Sequence, residues 1–115
     1  DCVWLGGFRG EIIRQSLNAG DAAATRSWQV SLDDNGIVNH LRVNERRQEL
    51  LISNNDGHLR ILNLSTLGIE EDLTLPWSIN ASATQGRVMA CVGDGMEVLL
   101  YDLREEGGRP VMRLQ

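Results

Sequence analysis

Cysteine is nearly absent. Cys2 and Cys91 are the two thiols in 115 residues, 89 positions apart, with no CxxC pair and no Cys/His cluster. A disulfide-stapled miniprotein and a cysteine-based zinc site are excluded on that count. Two buried thiols in a reducing compartment, cytoplasmic or nuclear, are the expectation. Basic residues are outnumbered 11 to 16, for a net charge of -5. Phosphate backbones attract clustered Lys and Arg, so no nucleic-acid partner is expected. The basic doublet Arg46-Arg47 is flanked by Glu45 and Glu49 and reads as a solvated turn. Long apolar runs are missing as well: no stretch approaches the ~20 residues of a membrane-spanning helix, and no membrane partner is expected. The sequence begins at Asp1 with no basic-then-apolar leader, so no targeting segment is read and a section of a longer chain is expected. The 42% hydrophobic and 23% charged residues that remain are an ordinary globular mixture.

What is present repeats. Glu49–Leu64 (ELLISNNDGHLRILNL) and Arg87–Leu103 (RVMACVGDGMEVLLYDL) each read as an apolar strand, a Gly/Asp turn, a second apolar strand and a closing Asn-Leu or Asp-Leu. Asn63 and Asp102 are 39 residues apart. A weaker copy, Cys2–Leu17 (CVWLGGFRGEIIRQSL), puts Ser16 in the place of Asn63, 47 residues earlier. A further strand follows each copy: Trp28–Leu32, Asp72–Leu75 and Val111–Leu114. Another opens each following unit, at Ile37–Val43 and Ile79–Ala83. Four short strands in ~40–45 residues is the period of a propeller blade. Leu50-Leu51-Ile52 and Val98–Tyr101 are apolar on both faces, which suits sheets sandwiched between neighbouring sheets. No apolar run lasts beyond about eight residues before a Gly or Asn-Asp break, which argues against helices. Asn18–Thr25 (NAGDAAAT) is ambiguous between an enlarged loop and a helical turn. The expected fold is all-β: a partial β-propeller of about two and a half to three four-stranded antiparallel blades. Residues 1–33 form the tail of one blade, 34–76 a second and 77–115 a third.

These residues resemble the WD-repeat β-propeller family over nearly the whole chain. The closing Trp-Asp pair of that family stands here as Leu62-Asn63, Tyr101-Asp102 and Gln15-Ser16. Its turn Asp falls on Asp56, on Asp94 after a one-residue slip, and on Arg9 in the first copy. Its Gly-His start is missing, and Asp34 occupies the His position of the middle unit. LLISNNDGHLRILNL and LPWSINASATQGRVMACVGDG are similar to a largely uncharacterised fungal and plant group of WD-repeat proteins. A blade buries its faces only against other blades. Seven blades need about 280 residues, so the resemblance implies that the remaining blades of the same propeller belong to a longer parent chain.

The resemblance implies partner contacts on the turns of one rim: 6–10, 33–36, 53–57, 76–78 and 93–96. The candidate partner-binding residues are Phe8, Arg9, Asp34, Asn55, Asp56, Trp77 and Asp94. Arg and aromatic residues carry a large share of interface energy, but Trp77 reads first as packing a loop onto the blade edge, and Phe8-Arg9 at a hairpin tip reads as partner contact or plain exposure alike. His40 lies in an apolar strand and reads as a satisfied core or edge histidine, while His58 reads as exposed. Glu70-Glu71-Asp72 and Glu105-Glu106 read as solubilising loops on the opposite rim. Asp33–Gly36 and Asn54–Gly57 lack the later ligands of a calcium loop and read as turns. GxSxG, HExxH and Walker-type motifs are absent, and Gly6–Gly10 lacks the Lys-Ser/Thr of a phosphate loop. No catalytic residue, cofactor or metal is expected. The leading expectation is a non-catalytic scaffold that presents loops to a protein or peptide. The rival is a propeller enzyme or small-molecule binder with Asp34, Asp56 and Asp94 converging near the central channel. Convergence of those carboxylates, with His40 or a metal, separates the two.

Overall fold

The structure, a computed structural model, describes residues 1–18, 25–103 and 109–115. Among them are eleven strands in three sheets. β1 (Cys2–Gly6), β2 (Glu11–Ser16) and β3 (Thr25–Gln29) form the first sheet. β4 (Val38–Asn44), β5 (Glu49–Asn54), β6 (His58–Asn63) and β7 (Ile69–Thr74) form the second. β8 (Ile79–Gln85), β9 (Val88–Gly93), β10 (Val98–Asp102) and β11 (Met112–Leu114) form the third. Each strand pairs antiparallel with the next, so every sheet is a meander. This is the all-β stack of antiparallel blades, a partial β-propeller, expected from the sequence. Hairpin tips need residues that tolerate positive φ; Gly10 and Gly57 supply it at 81° and 85°.

The middle sheet explains the two-sided apolar runs. All six residues of β5 are buried, because alternate side chains enter different cores. Leu50, Ile52 and Leu62 join Ile12 of the first sheet, with Trp4, Trp28 and Val30 packed against them. Leu51, Leu59, Ile61, Leu73 and Leu75 join Ile79, Met89, Cys91, Leu99 and Tyr101 of the third. Two dry interfaces therefore hold three sheets face to face. Trp4 and Trp28 stack with ring centroids 5.8 Å apart, and the Arg26 guanidinium lies 5.0 Å above the Trp28 ring. The outer faces differ: Val3 and Leu5 on the first sheet, and Val88, Val92, Met112 and Leu114 on the third, are exposed.

Cys91 is buried as expected, and desolvation pushes its thiol up to about 12. Four expectations change. Cys2 is exposed at the start of β1 and not buried. The strand expected at Trp28–Leu32 runs from Thr25 to Gln29, with Trp28 opposite Ile12; Leu32 is left 92% exposed. Glu70, Glu71 and Asp72 lie within β7, opposite β6, and not in a loop. His58 is half-buried, its Nδ1 2.6 Å from Asp72 Oδ1. Most of the ambiguous 18–25 stretch and the Glu105-Glu106 pair lie outside the described residues.

Candidate functional site

Antiparallel order sorts the turns onto two rims. The β1–β2, β5–β6 and β9–β10 turns share one rim with the links that enter β4 and β8. All seven candidate residues fall in these segments: Phe8 and Arg9 in the first turn, Asn55 and Asp56 in the second, Asp94 in the third, Asp34 and Trp77 in the links.

Asp56 turns inward and holds its own hairpin together. Its carboxylate accepts from Ser31 Oγ at 2.7 Å, from Arg60 Nη2 at 3.2 Å and from the His58 amide at 3.1 Å. Burial alone would raise its pKa, but the donors of Ser31, Arg60 and His58 outweigh that and hold it below the usual carboxylate value. Arg60 also donates to Asn54 Oδ1 at 2.8 Å, and Asn54 Nδ2 donates to the Gly36 carbonyl at 2.9 Å. The network thus crosses from β5–β6 to the link before β4. Ser31, not Asp34, is the link residue that reaches Asp56; Asp34 stays exposed.

The third turn aligns without a slip. The Asp94 amide donates to the Ser78 carbonyl as the Asn55 amide does to Ile37, and Ile79 pairs with Gly93 as Val38 pairs with Asn54. Asp94 therefore corresponds to Asn55, and Gly95 to Asp56. The reason is steric. A Cβ on Gly95 would lie 2.1 Å from Cδ1 and Nε1 of Trp77, and one on Gly93 would lie 2.5 Å from Cε3. The indole covers this turn, so Trp77 packs a loop onto its blade.

Two features went unread in the sequence. The β4–β5 register shifts between Val38 and His40, and the β8–β9 register between Ile79 and Ala81. Such bulges re-aim a side chain, here Asn39 and Asn80, which stand 41 residues apart. Asn39 Nδ2 donates to Asn55 Oδ1 at 3.1 Å and to the Ile79 carbonyl at 2.9 Å. Asn80 Nδ2 donates to Asp94 Oδ1 at 3.1 Å. Asn55 also donates to Asn35 Oδ1 at 2.6 Å and accepts Ser78 Oγ on its carbonyl at 2.5 Å. One amide–turn pair therefore recurs on successive blades. The shared position of Asn39 and Asn80 in their units was the available signal.

The carboxylates do not converge. Asp56 is held by Ser31 and Arg60, Asp94 by Asn80, and Asp34 stands apart on its link. Among the described residues, no group of three His, Cys, Asp or Glu side chains is placed to hold a metal ion. His40 Nδ1 accepts from the Ser82 amide at 3.5 Å, joining β4 to β8, and burial, then Arg42, lowers its pKa.

No known family profile matches the sequence. Over 76 residues, 64% of the chain, it is 33% identical to an uncharacterised protein of Schizosaccharomyces pombe, of which it spans 22%. The crystal structure of Saccharomyces cerevisiae Sqt1 superposes on 97% of this chain and 30% of its own, with a TM-score of 0.81 and 13% identity. A chain of the mitotic checkpoint complex matches 99% of this chain and 33% of its own, with a TM-score of 0.78 and 12% identity. Both are WD-repeat propellers. At such identities the likeness carries the fold alone. The chain thus spans about a fifth of its curated relative and a third of these propellers.

Proposed function

We propose that the protein is a non-catalytic interaction platform, a section of a WD-repeat propeller that offers the Phe8–Asn55–Asp94 rim to a protein or peptide partner. The observation that carries this reading is the repeated amide–turn pair, Asn39 with Asn55 and Asn80 with Asp94, raised by equivalent bulges on successive blades. Polar groups fixed on a rigid sheet rim suit recognition, since little has to be ordered on contact. Separate anchoring of Asp56 and Asp94 favours this reading over a channel enzyme. One of the similar propeller chains belongs to a multiprotein complex, which agrees with a protein partner here. Further blades of a longer chain cover the exposed apolar faces of the first and third sheets.

A photo-crosslinking residue placed singly at Phe8, Asn39 or Asn80 of the full-length protein tests the rim. Expected are crosslinks to one shared partner from these sites and none from Glu45 or Gly86, on the opposite rim. Crosslinks confined to Glu45 and Gly86 would reverse the assignment.

A further inference from the structure

We propose that the cleft between the β1–β2 turn and the β3–β4 link docks an extended peptide bearing a large apolar side chain beside an arginine or lysine. The inference deepens the rim reading and rests on it. The cleft has a volume of about 410 Å³ and is lined by Phe8, Arg9, Gln29, Leu32, Asp33 and Asp34. Phe8 is 74% exposed and Leu32 92% exposed. Single exposed apolar residues are ordinary. Two of them lining one depression, on segments 24 residues apart in sequence, make an apolar seat.

The seat is built on fixed backbone. The Gln29 side-chain amide donates to the Arg9 carbonyl and, at 2.7 Å, to the Ser31 carbonyl, tying the turn to the link. The Val30 amide donates to the Gly10 carbonyl at 2.9 Å. Gly10 adopts φ 81°, where a Cβ would fall 2.7 Å from the Ser31 carbonyl oxygen. Ser31 Oγ is held by Asp56 and accepts the Asp33 amide at 3.2 Å. Phe8 and Leu32 therefore project from a braced rim, and docking leaves little backbone to order.

Charge selects the occupant. Of the lining residues, Asp33 and Asp34 are negative and Arg9 is positive, so the cleft is net negative, and Glu11 adds a further carboxylate at the adjacent turn. Glu11 Oε2 accepts the Arg9 amide at 3.1 Å, which places this carboxylate at the turn. Asp33 Oδ1 accepts the Asn35 amide at 2.8 Å. The Asp34 carboxylate has no partner among the described residues. A cation beside the seated apolar group meets Asp33 and Asp34, whereas an acidic neighbour is repelled. Arginine or lysine next to Leu, Ile or Phe is the complementary chemistry.

The test uses full-length protein and three fluorescein-labelled heptapeptides: Ser-Gly-Arg-Leu-Arg-Gly-Ser, the same peptide with Glu for both Arg, and the same with Gly for Leu. Fluorescence anisotropy is read at low and moderate salt. The Arg-Leu-Arg peptide is expected to bind at least fivefold more tightly than either control. The Leu32→Ser variant and the Asp33→Asn/Asp34→Asn double variant are each expected to lose fivefold or more. Both changes lie on exposed side chains, and far-UV circular dichroism confirms that the sheet is retained. Equal or tighter binding of the Glu peptide, or unchanged affinity in both variants, overturns the inference. Peptide failure with Asn39 and Asn80 crosslinks intact removes the cleft and leaves the rim standing. Loss of those crosslinks as well removes both.

Discussion

At the scale of the residue, Asp56 does what its turn position demands, through partners from two places in the chain. Arg60 is four residues away on the same hairpin, and Ser31 is 25 residues away on the preceding link. The Asp56 and Arg60 side chains are 5% and 9% exposed, so neither charge is compensated by water. Asp56→Ala would leave the guanidinium with Asn54 and the more distant, exposed Asp72. The expected loss is about 3 kcal/mol, the lower end for breaking one side of a buried pair. Ser31→Ala removes one charge-assisted hydrogen bond and should cost about 1.5 kcal/mol. Urea unfolding of the full-length protein measures both, and a loss of under 0.5 kcal/mol (about the surface-substitution range) for Asp56→Ala would show that the network is incidental.

At the scale of the element, innermost strands meet through side chains placed by the bulges. Asn39 bridges to the Ile79 carbonyl, and His40 takes the Ser82 amide, so β4 grips β8 at successive residues. His40 accepts only while that nitrogen is unprotonated. Its folded pKa lies below the ordinary 6.5, so the folded state binds fewer protons than the unfolded state in the window beneath 6.5. Stability is therefore full above that value and falls as the pH is lowered through it. Asp56, with a pKa held below 3.8, adds a loss of the same sign only in stronger acid. His40→Gln should flatten the thermal stability profile in the window below pH 6.5. A slope identical to that of the wild type would assign the effect elsewhere.

At the scale of the whole molecule, three sheets make two dry interfaces and leave two open faces. On the third sheet, Val88, Val92, Met112 and Leu114 are between 40% and 52% exposed. Such contiguous apolar surface is uncommon on an isolated domain and normal on a blade with a neighbour. Val92→Glu probes the difference. With a neighbouring blade in place, the carboxylate is buried and the full-length protein should lose about 2 kcal/mol or more. An unchanged melting temperature would mean that this face stays in water.

Strand order and the buried identities were legible because they are local and repeated. Apolar runs of five to seven residues and Gly-bearing turns are short-range patterns, and they mark the strands of the second and third sheets, while the end of β3 and the place of Glu70–Asp72 escape them. Phe8 and Arg9 could be marked as rim residues for the same reason. The partner of Asp56 could not be read, since nothing near Ser31 in the sequence signals a carboxylate 25 positions on. The place of Asp94 was misread because motif matching gives weight to the acid, whereas register and the Trp77 indole pressed on Gly95 decide the alignment. Leu32 looked like the end of a strand. Its release into the cleft beside Phe8 depends on where β3 stops pairing with β2, which the register fixes. The sequence by itself determined the repeat, the sheets and the faces that must stay dry, because periodicity and turn chemistry act over a few residues. Tertiary structure decided which polar groups meet across blades and which apolar ones remain exposed, because those outcomes depend on distances between segments that the chain order does not carry.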